Sequence, residues 1–288
     1  MLPYLVTGLA VGALYALSGV GLVLLYRASG TLNLAYGAIG AVGALVCWEL
    51  RGFYAVPLSL AALVAVLIAT VLSVLWGTLV EPLLSGRDPL VKATATLGLA
   101  LALLGLCNWY WNDKARSLRL PTGSTGFEVF GVRVTLTQCL ALGLAVAATA
   151  AATFFLQSSV TGTSMRALAN DRELSAMLGV RVRRVEAFAW LLSGVIAGVS
   201  SLLLADLTVL TANGLTFAII PALAAALIGR LTSLWLTLAG GLVIGVLEAS
   251  LTQVAALSTY RSVAPFAIAI AVTVWLGRHK VYAMRTAA

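Results

Sequence analysis

The feature that most limits what this chain can fold into is the absence of charge over long stretches. Nine long runs contain no Asp, Glu, Lys or Arg: 1–26, 28–48, 52–80, 93–112, 134–165, 187–205, 207–229, 231–247 and 262–277. A helix needs about 20 apolar residues, at about 1.5 Å each, to cross the hydrocarbon core of a bilayer. Most of the runs meet or approach that length. The pattern therefore predicts an all-α, polytopic helical bundle in a membrane.

Composition excludes the other classes of fold. Hydrophobic residues make up 61% of the chain and charged residues 10%, whereas a soluble domain has about 25% charged residues. A soluble enzyme and a disordered chain are therefore excluded. A β-barrel is also excluded, because barrel strands alternate over about ten residues. We predict one domain, 1–288, with about eight to ten spans, placed near 4–26, 33–50, 55–80, 92–112, 135–157, 185–205, 213–229, 232–252 and 262–277.

Basic residues sort the connecting loops into two sets. The chain has 18 Lys and Arg against 10 Asp and Glu, a net charge of +8, which in a soluble protein would suggest nucleic acid. In a membrane protein the positive-inside rule accounts for the excess, so we expect no nucleic-acid partner. With the amino terminus outside, the inner loops receive 12 basic residues and the outer loops 6. This split predicts a cytoplasmic carboxyl terminus.

Two loops are long enough to hold structure of their own. Residues 113–133, external in this topology, combine Pro and Gly with an alternating apolar stretch, which predicts a small cap or hairpin. Residues 160–184, cytoplasmic in this topology, predict one amphipathic helix over about 164–179. Thr163 or Ser164 would cap its start and Gly179 its end. One apolar side of this helix would consist of Ala167, Leu174, Met177 and Leu178.

The sequence has no residue set that is typical of an enzyme. It lacks the Gly-x-x-x-x-Gly-Lys-Ser/Thr phosphate loop, so we do not expect this chain to hydrolyse nucleotide itself. It also lacks His-Glu-x-x-His and Gly-x-Ser-x-Gly, and its one histidine, His279, lies in a basic tail. We predict no catalytic or metal-binding residues. The cysteines have no metal-ligand spacing and are interpreted as small apolar side chains: Cys47, Cys107 and Cys139.

Glycine spacing predicts close packing between helices. Gly-x-x-x-Gly pairs let two helix backbones approach closely in lipid. The chain has three such pairs within its spans: Gly8 and Gly12, Gly194 and Gly198, and Gly241 and Gly245.

Polar side chains at membrane depth must find a partner or face water. Asn33 follows Gly30 at the start of the second span, which suggests a broken or late-starting helix whose free amides could meet a substrate carboxylate. Thr94 and Thr96 lie early in the fourth span, and Glu248 lies deep in the eighth. The alternatives are an interhelical hydrogen bond for Asn33 or Glu248 and a bond within its own helix for either threonine. The second and seventh spans both begin near an Asn, which hints at an inverted repeat.

Four stretches resemble one known family of membrane proteins. Residues 8–43 contain Leu-Asn-Leu-Ala-Tyr-Gly where that family usually has Asn-Phe-Ala-His-Gly, and residues 93–99 read Ala-Thr-Ala-Thr-Leu-Gly-Leu. Residues 166–198 and, more weakly, 226–248 complete the match. On these motifs the chain resembles the membrane permease subunits of branched-chain amino acid ABC importers. It departs from the family at Leu34 and Tyr36, and a turn that is usually Gly-rich reads Arg-Leu-Thr-Ser at 230–233.

The resemblance implies an importer in the bacterial inner membrane that moves branched-chain or related small amino acids into the cytoplasm. It implies as partners two ABC ATPase subunits, a second permease subunit that is a paralogue, and a periplasmic substrate-binding protein. ATP and Mg²⁺ would bind to the ATPases, and this chain would bind no cofactor. The cytoplasmic helix would couple to the ATPases through Arg166, Asn170, Asp171, Leu174, Met177, Leu178 and Gly179. The substrate pathway would include Asn33, Tyr36, Gly37, Thr94, Thr96 and Glu248.

Three alternatives stay open at this point. Relatives with similar permeases carry urea, other small amides or aromatic carboxylates. An ion-coupled secondary transporter or channel would need an ion relay, for which Glu248 is the one deep carboxylate. The 160–184 segment could also be an amphipathic helix that lies on the membrane surface.

Overall fold

The computed structural model describes residues 2–129 and 132–252, together with six helical residues within 266–274. Helices dominate the described chain, and two short strands pair between the fourth and fifth long apolar runs. The elements are α1 (Leu2–Ser29), α2 (Tyr36–Gly52), α3 (Leu58–Leu75), α4 (Pro89–Trp111), α5 (Pro121–Ser124), β1 (Gly126–Val129), β2 (Val132–Thr135), α6 (Leu136–Ser158), α7 (Val160–Asn170), α8 (Arg172–Met177), α9 (Val182–Leu207), α10 (Ala212–Phe217), α11 (Ile219–Ile228) and α12 (Leu234–Leu251).

The spans predicted from the charge-free runs are largely confirmed. Within the described residues, six helical segments are long and apolar enough to cross a membrane, based on α1, α3, α4, α6, α9 and α12. The second and seventh predicted spans are shorter: α2 has 17 residues, and 212–228 is divided between α10 and α11. At about 1.5 Å per residue, α2 is about 25 Å long, less than a hydrocarbon core of about 30 Å. The ninth span, 262–277, and the basic tail with His279 lie outside the described residues, apart from the six named above.

Helix α1 lies at the centre of the bundle. It packs against α6, α9, α11 and α12, and 83% of its most apolar stretch is buried. Two of the predicted glycine pairs form its contact with the antiparallel α12. A Cβ atom on Gly12 would lie 2.7 Å from the carbonyl oxygen of Gly241, and one on Gly245 would lie 2.3 Å from the Cα atom of Gly12. The α1–α12 interface therefore has no room for a side chain at these positions.

The third glycine pair joins α9 to α3. A Cβ atom on Gly194 would lie 2.8 Å from the Cα atom of Thr70, and one on Gly198 would lie 2.9 Å from the Cα atom of Val66. The prediction of close helix packing is thus confirmed for all three pairs, because each lies directly against the backbone of a neighbouring helix.

The connecting loops gather at two ends of the bundle in the two sets that the charge pattern predicts. At one end, the turns after α1, α3 and α11 meet α7, and Arg27, Arg87, Arg166 and Thr232 line one cavity there. We call this the basic end. At the opposite end, Arg116 exchanges backbone hydrogen bonds with Leu210 across 3.0 Å.

The loop 113–133 holds the predicted hairpin at the opposite end. Strands β1 and β2 pair antiparallel, with Gly126 opposite Thr135. Asp206, near the end of α9, accepts hydrogen bonds from the Leu120 amide at 2.8 Å and the Thr137 hydroxyl at 2.7 Å. One carboxylate therefore fastens the loop to the helical bundle.

Candidate substrate site and coupling segment

The chain between α1 and α2 is the first part of the candidate substrate site. Helix α1 stops at Gly30, whose φ of +67° is a left-handed conformation that glycine adopts without a steric penalty. The Asn33 side-chain oxygen accepts from the Ala35 amide at 3.0 Å, and its backbone carbonyl accepts from the Tyr36 amide at 3.4 Å. Asn33 therefore forms the turn that starts α2, and the late-starting second helix is confirmed.

Thr96 of α4 holds the same turn from the other side. Its hydroxyl accepts from the Leu34 amide at 3.1 Å and lies 2.9 Å from the Leu32 carbonyl, to which it donates. Thr96 is the eighth residue of α4, which puts it about 10 Å inside the end of that helix. The start of α2 consequently lies below the basic end, at a depth where backbone polar groups need protein partners.

The interrupted seventh span meets the start of α2. A Cβ atom on Gly37 would lie 2.4 Å from the Thr216 carbonyl oxygen and 2.7 Å from that of Leu215, so glycine lets α10 touch α2 directly. Tyr36 is buried, and its hydroxyl lies 3.5 Å from that of Ser200 on α9. A late-starting helix and a divided one thus meet in the interior, as in transporters with discontinuous helices.

Two polar groups at this junction are buried without a hydrogen-bond partner among the described residues. They are the Asn33 amide nitrogen Nδ2, a donor, and the Thr216 hydroxyl. Asn33 is 1% exposed, so solvent does not satisfy the amide in this conformation. An unpaired buried donor costs about 1–3 kcal/mol, and a ligand that accepts a hydrogen bond would recover that free energy.

The other two predicted pathway residues lie elsewhere. Thr94 is exposed on the outer side of α4, and its hydroxyl donates to the Leu90 carbonyl of its own helix at 2.8 Å. Glu248 lies three residues before the last residue of α12, level with Gly8 of α1 at the end opposite the basic end. About 30 Å of α1 separates the level of Glu248 from that of Asn33, so the structure does not bring these two predicted pathway residues together.

A buried network of charges lies beside the turn, and the sequence analysis missed it. Lys92 of α4 donates to the Glu81 carboxylate at 3.1 Å and to the Ser29 carbonyl at 3.3 Å. The Thr31 hydroxyl donates to the same Glu81 oxygen. Glu81 is 2% exposed and lies within the irregular helical turns, 76–84, that continue α3. The one signal in the sequence was an acid directly after a 29-residue charge-free run, 52–80.

The predicted coupling helix is two helices, which corrects the sequence analysis. Helix α7 begins at Val160 with Ser159 as its N-cap, not Thr163 or Ser164, and the Ser159 hydroxyl accepts from Gly162 at 2.8 Å. The chain then breaks at Asp171, which has extended backbone angles and caps α8 by accepting from Leu174 at 2.9 Å. Aspartate favours such caps over helix interiors because its carboxylate competes for backbone amides.

The end of the segment matches the prediction. Gly179 follows α8 with a φ of +87°, the left-handed conformation expected of a helix stop. Leu174, Met177 and Leu178 are 54%, 85% and 77% exposed, whereas Met165 and Leu168 of α7 are buried against the bundle. The segment thus has an anchored half and an exposed apolar half.

Arg172 connects the exposed half to the bundle. It forms an ion pair with Glu186 of α9 and donates to the Ser85 hydroxyl at 3.2 Å. Of the remaining predicted coupling residues, Asn170 and Asp171 are exposed at the break, and Arg166 lies on α7 facing the cavity of the basic end.

This architecture defines a class of protein before any comparison is made. Helices that cross a bilayer, two interrupted spans that meet in the interior and an exposed segment at the basic end are features of a polytopic membrane transport protein. The family model described as "Branched-chain amino acid transport system / permease component" matches residues 4–273. The chain belongs to this family.

Curated relatives extend the comparison over nearly the whole chain. The high-affinity branched-chain amino acid transport system permease protein BraD of Pseudomonas aeruginosa is 28% identical, over 97% of this chain and 97% of its own length. The LivH permease protein of the corresponding system in Escherichia coli is 26% identical, over 94% and 92%. A probable LivH permease of Methanocaldococcus jannaschii is 26% identical, over 83% and 77%. These relatives are permeases. Membership of their family, together with the apolar helices, identifies this chain as a multi-pass inner-membrane permease.

Proposed function

We propose that this chain is the membrane subunit of a binding-protein-dependent ABC importer for branched-chain or related small amino acids. The names of its relatives support the substrate class. The chain has no phosphate-loop motif, so the driving ATPases would be two separate subunits that hold ATP and Mg²⁺. A second permease subunit and a periplasmic binding protein would complete the complex, with the basic end facing the cytoplasm.

The observation that carries the proposal is the exposed apolar surface of α8. Three large side chains, Leu174, Met177 and Leu178, project from a short helix whose neighbours are polar. Large apolar side chains grouped in this way favour a contact with another protein. A short helix of this kind would fit an apolar groove of an ATPase, and with the basic end inside, that ATPase would lie in the cytoplasm.

The charge network gives the proposed coupling a physical route. Arg172 of α8 pairs with Glu186, and the Glu81–Lys92 pair beside it holds the turn at Ser29 and Thr31. That turn leads directly to Asn33. A displacement of α8 by an ATPase would shift Arg172 and, through these pairs, the start of α2, because packed interiors transmit displacements between discrete arrangements.

The proposed substrate contact is the Asn33 amide at the junction of α2 and α10. Its donor would bind a substrate carboxylate, assisted by the positive end of the α2 dipole. Tyr36, Gly37 and Thr96 would line this site without contacting the substrate carboxylate. Glu248 would act near the periplasmic mouth.

The test is reconstitution of the full complex with its ATPases in proteoliposomes. Leu178→Asp places a charge on the contact surface, and Gly179→Pro is incompatible with a positive φ because proline fixes φ near −65°. We expect either variant to lower substrate-stimulated ATP hydrolysis by about tenfold or more, while the complex can still be isolated. For Leu178→Asp the reason is a desolvated charge, which costs well over about 1.4 kcal/mol; for Gly179→Pro it is the lost helix stop, which displaces the apolar side chains before it.

Phe127→Asp is the control, because Phe127 is also an exposed large apolar residue and lies on the hairpin at the opposite end. It should leave ATP hydrolysis unchanged. Full transport by Leu178→Asp and Gly179→Pro would refute the coupling role. Uptake by this chain alone under an ion gradient would instead support a secondary transporter.

A further inference from the structure

The cavity at the basic end holds three arginines that the proposed coupling route does not use: Arg27, Arg87 and Arg166. It has a volume of about 760 Å³ and lies between the end of α1, the turn before α4, α7 and the turn before α12. Cavities of about 300–1,000 Å³ are typical of small-molecule sites. Five cationic side chains line it, and no Asp or Glu lines it among the described residues: Arg27, Arg87, Lys92, Arg166 and Arg172.

Three of these cations have no acidic partner. Lys92 pairs with Glu81 and Arg172 with Glu186, whereas Arg27, Arg87 and Arg166 form no ion pair among the described residues. The sequence outside those residues contains no Asp or Glu that could provide one. The cavity therefore has an excess of positive charge, which like-charge repulsion makes unfavourable unless an anion binds.

Arg166 adds a donor that is already desolvated. Its terminal nitrogen reaches only the Thr163 hydroxyl of its own helix, at 3.4 Å, and its Nε atom is buried without a hydrogen-bond partner among the described residues. Arg27 donates to the Thr232 carbonyl at 3.2 Å, which directs its guanidinium across the cavity floor toward the α11–α12 turn. Guanidinium groups from α1, α7 and the α3–α4 turn thus converge on one space.

We infer that this cavity is a binding site for a phosphate group, contributed by an anionic phospholipid headgroup or by a soluble phosphate compound. Arginine binds phosphate through paired, charge-assisted hydrogen bonds, and one doubly charged or bridging phosphate neutralises several guanidiniums at once. Basic pockets between membrane helices bind phospholipid headgroups in the same way. A bound phosphate would tie α7 to the end of α1. The inference does not depend on the proposed substrate or on the ATPases.

The experiment uses the full chain, purified in neutral detergent and stripped of lipid. Native mass spectrometry measures binding of phosphatidylglycerol and of phosphatidylcholine with the same acyl chains. We expect phosphatidylglycerol to bind about tenfold more tightly than phosphatidylcholine. Arg166→Gln or Arg87→Gln should raise the Kd for phosphatidylglycerol about tenfold, as expected for the loss of one charge-assisted hydrogen bond. Arg87 is exposed and forms no side-chain hydrogen bond among the described residues, so its variant leaves folding intact.

Arg183→Gln is the control, because Arg183 is an exposed arginine near the same end that does not line the cavity. It should change phosphatidylglycerol binding less than twofold. Added inorganic phosphate identifies the source: displacement of the lipid at millimolar concentration indicates a soluble ligand, and no displacement indicates the headgroup.

Three outcomes would refute the proposed phosphate-binding site. The first is equal binding of the two lipids without any effect of phosphate. The second is a loss in Arg183→Gln as large as in Arg166→Gln, which would mean general surface attraction. The third is displacement by leucine at the same concentration, which would make the cavity part of the amino acid pathway.

Discussion

At the scale of single residues, Asn33 combines two roles that can be separated. Its oxygen forms the turn that starts α2, and its nitrogen is the unpaired donor. Serine keeps an acceptor for the turn but lacks the amide donor.

We therefore expect Asn33→Ser to raise the KM for uptake by about tenfold, the loss of one hydrogen bond to a charged group, with little change in thermal stability. The KM is measured from the kinetics of substrate uptake in proteoliposomes. Thr94→Val is the control, because Thr94 bonds only its own helix on the outer surface; an equal change in both variants would contradict the assignment.

Arg230 and Leu231 show strain where the family usually has glycine. Both have positive φ, at +53° and +55°, in the turn between α11 and α12. A left-handed conformation costs a non-glycine residue about 1–2 kcal/mol. Glycine relieves that cost and loses about 0.5–1 kcal/mol of backbone entropy instead.

Arg230→Gly should therefore stabilise the fold by roughly 0.5–1 kcal/mol, measured as a higher midpoint of thermal unfolding in detergent. Arg183→Gly removes the same side chain from the first turn of α9, where no positive φ is relieved, so it should not raise the midpoint. A lower midpoint for Arg230→Gly would show that the turn is not strained.

At the scale of elements, the glycine pairs explain why α1 and α12 lie so close. A methyl group on Gly245 would meet the backbone of Gly12, and neither helix can shift without losing the rest of the interface. Overpacking of this kind costs about 1–3 kcal/mol.

Gly245→Ala should lower the free energy of unfolding by about 1–3 kcal/mol, measured as a lower midpoint of thermal unfolding of the purified chain. Gly98→Ala in α4 is the matched change, since a Cβ atom on Gly98 would meet no atom within 4 Å. It should be neutral or stabilising through helix propensity. Similar losses in both variants would mean that helix propensity, and not packing, sets the outcome.

The elements also show how far sequence reasoning reached. The charge-free runs predicted the six described helices that are long enough to span, because crossing a bilayer demands length and apolarity, which a sequence displays directly. The break at Asp171 was missed because the periodicity of apolar residues continues across it, while capping depends on backbone angles that periodicity does not report. The Asn33 turn was predicted from residue type and position. The pairing of Glu81 with Lys92 was missed because it depends on how α3 and α4 pack, which no local pattern records.

At the scale of the whole molecule, variants of the buried Glu81–Lys92 pair distinguish an effect on stability from an effect on coupling. Breaking a buried pair by removing one partner costs about 3–5 kcal/mol, because the remaining charge is uncompensated. Replacing both partners removes that penalty.

We expect Lys92→Met alone to lower stability strongly, and the double change Glu81→Gln with Lys92→Met to recover most of it. The double variant should still hydrolyse ATP with its partners but transport several times less substrate for each ATP, because α8 no longer acts on the Ser29–Thr31 turn. Coupled ATPase and uptake assays measure this ratio. Normal transport in the stable double variant would exclude the charge network as the route.

The central position of α1 has a consequence for biosynthesis. Of the long helices described, α1 is made before the others and ends most enclosed, and its glycine-lined side faces α12, which is made last. Until α12 has been made, that side of α1 is in contact with lipid or with helices that must later leave it. A ribosome stalled before α12 would therefore release a chain with an unfilled central groove, which membrane quality-control proteases can recognise.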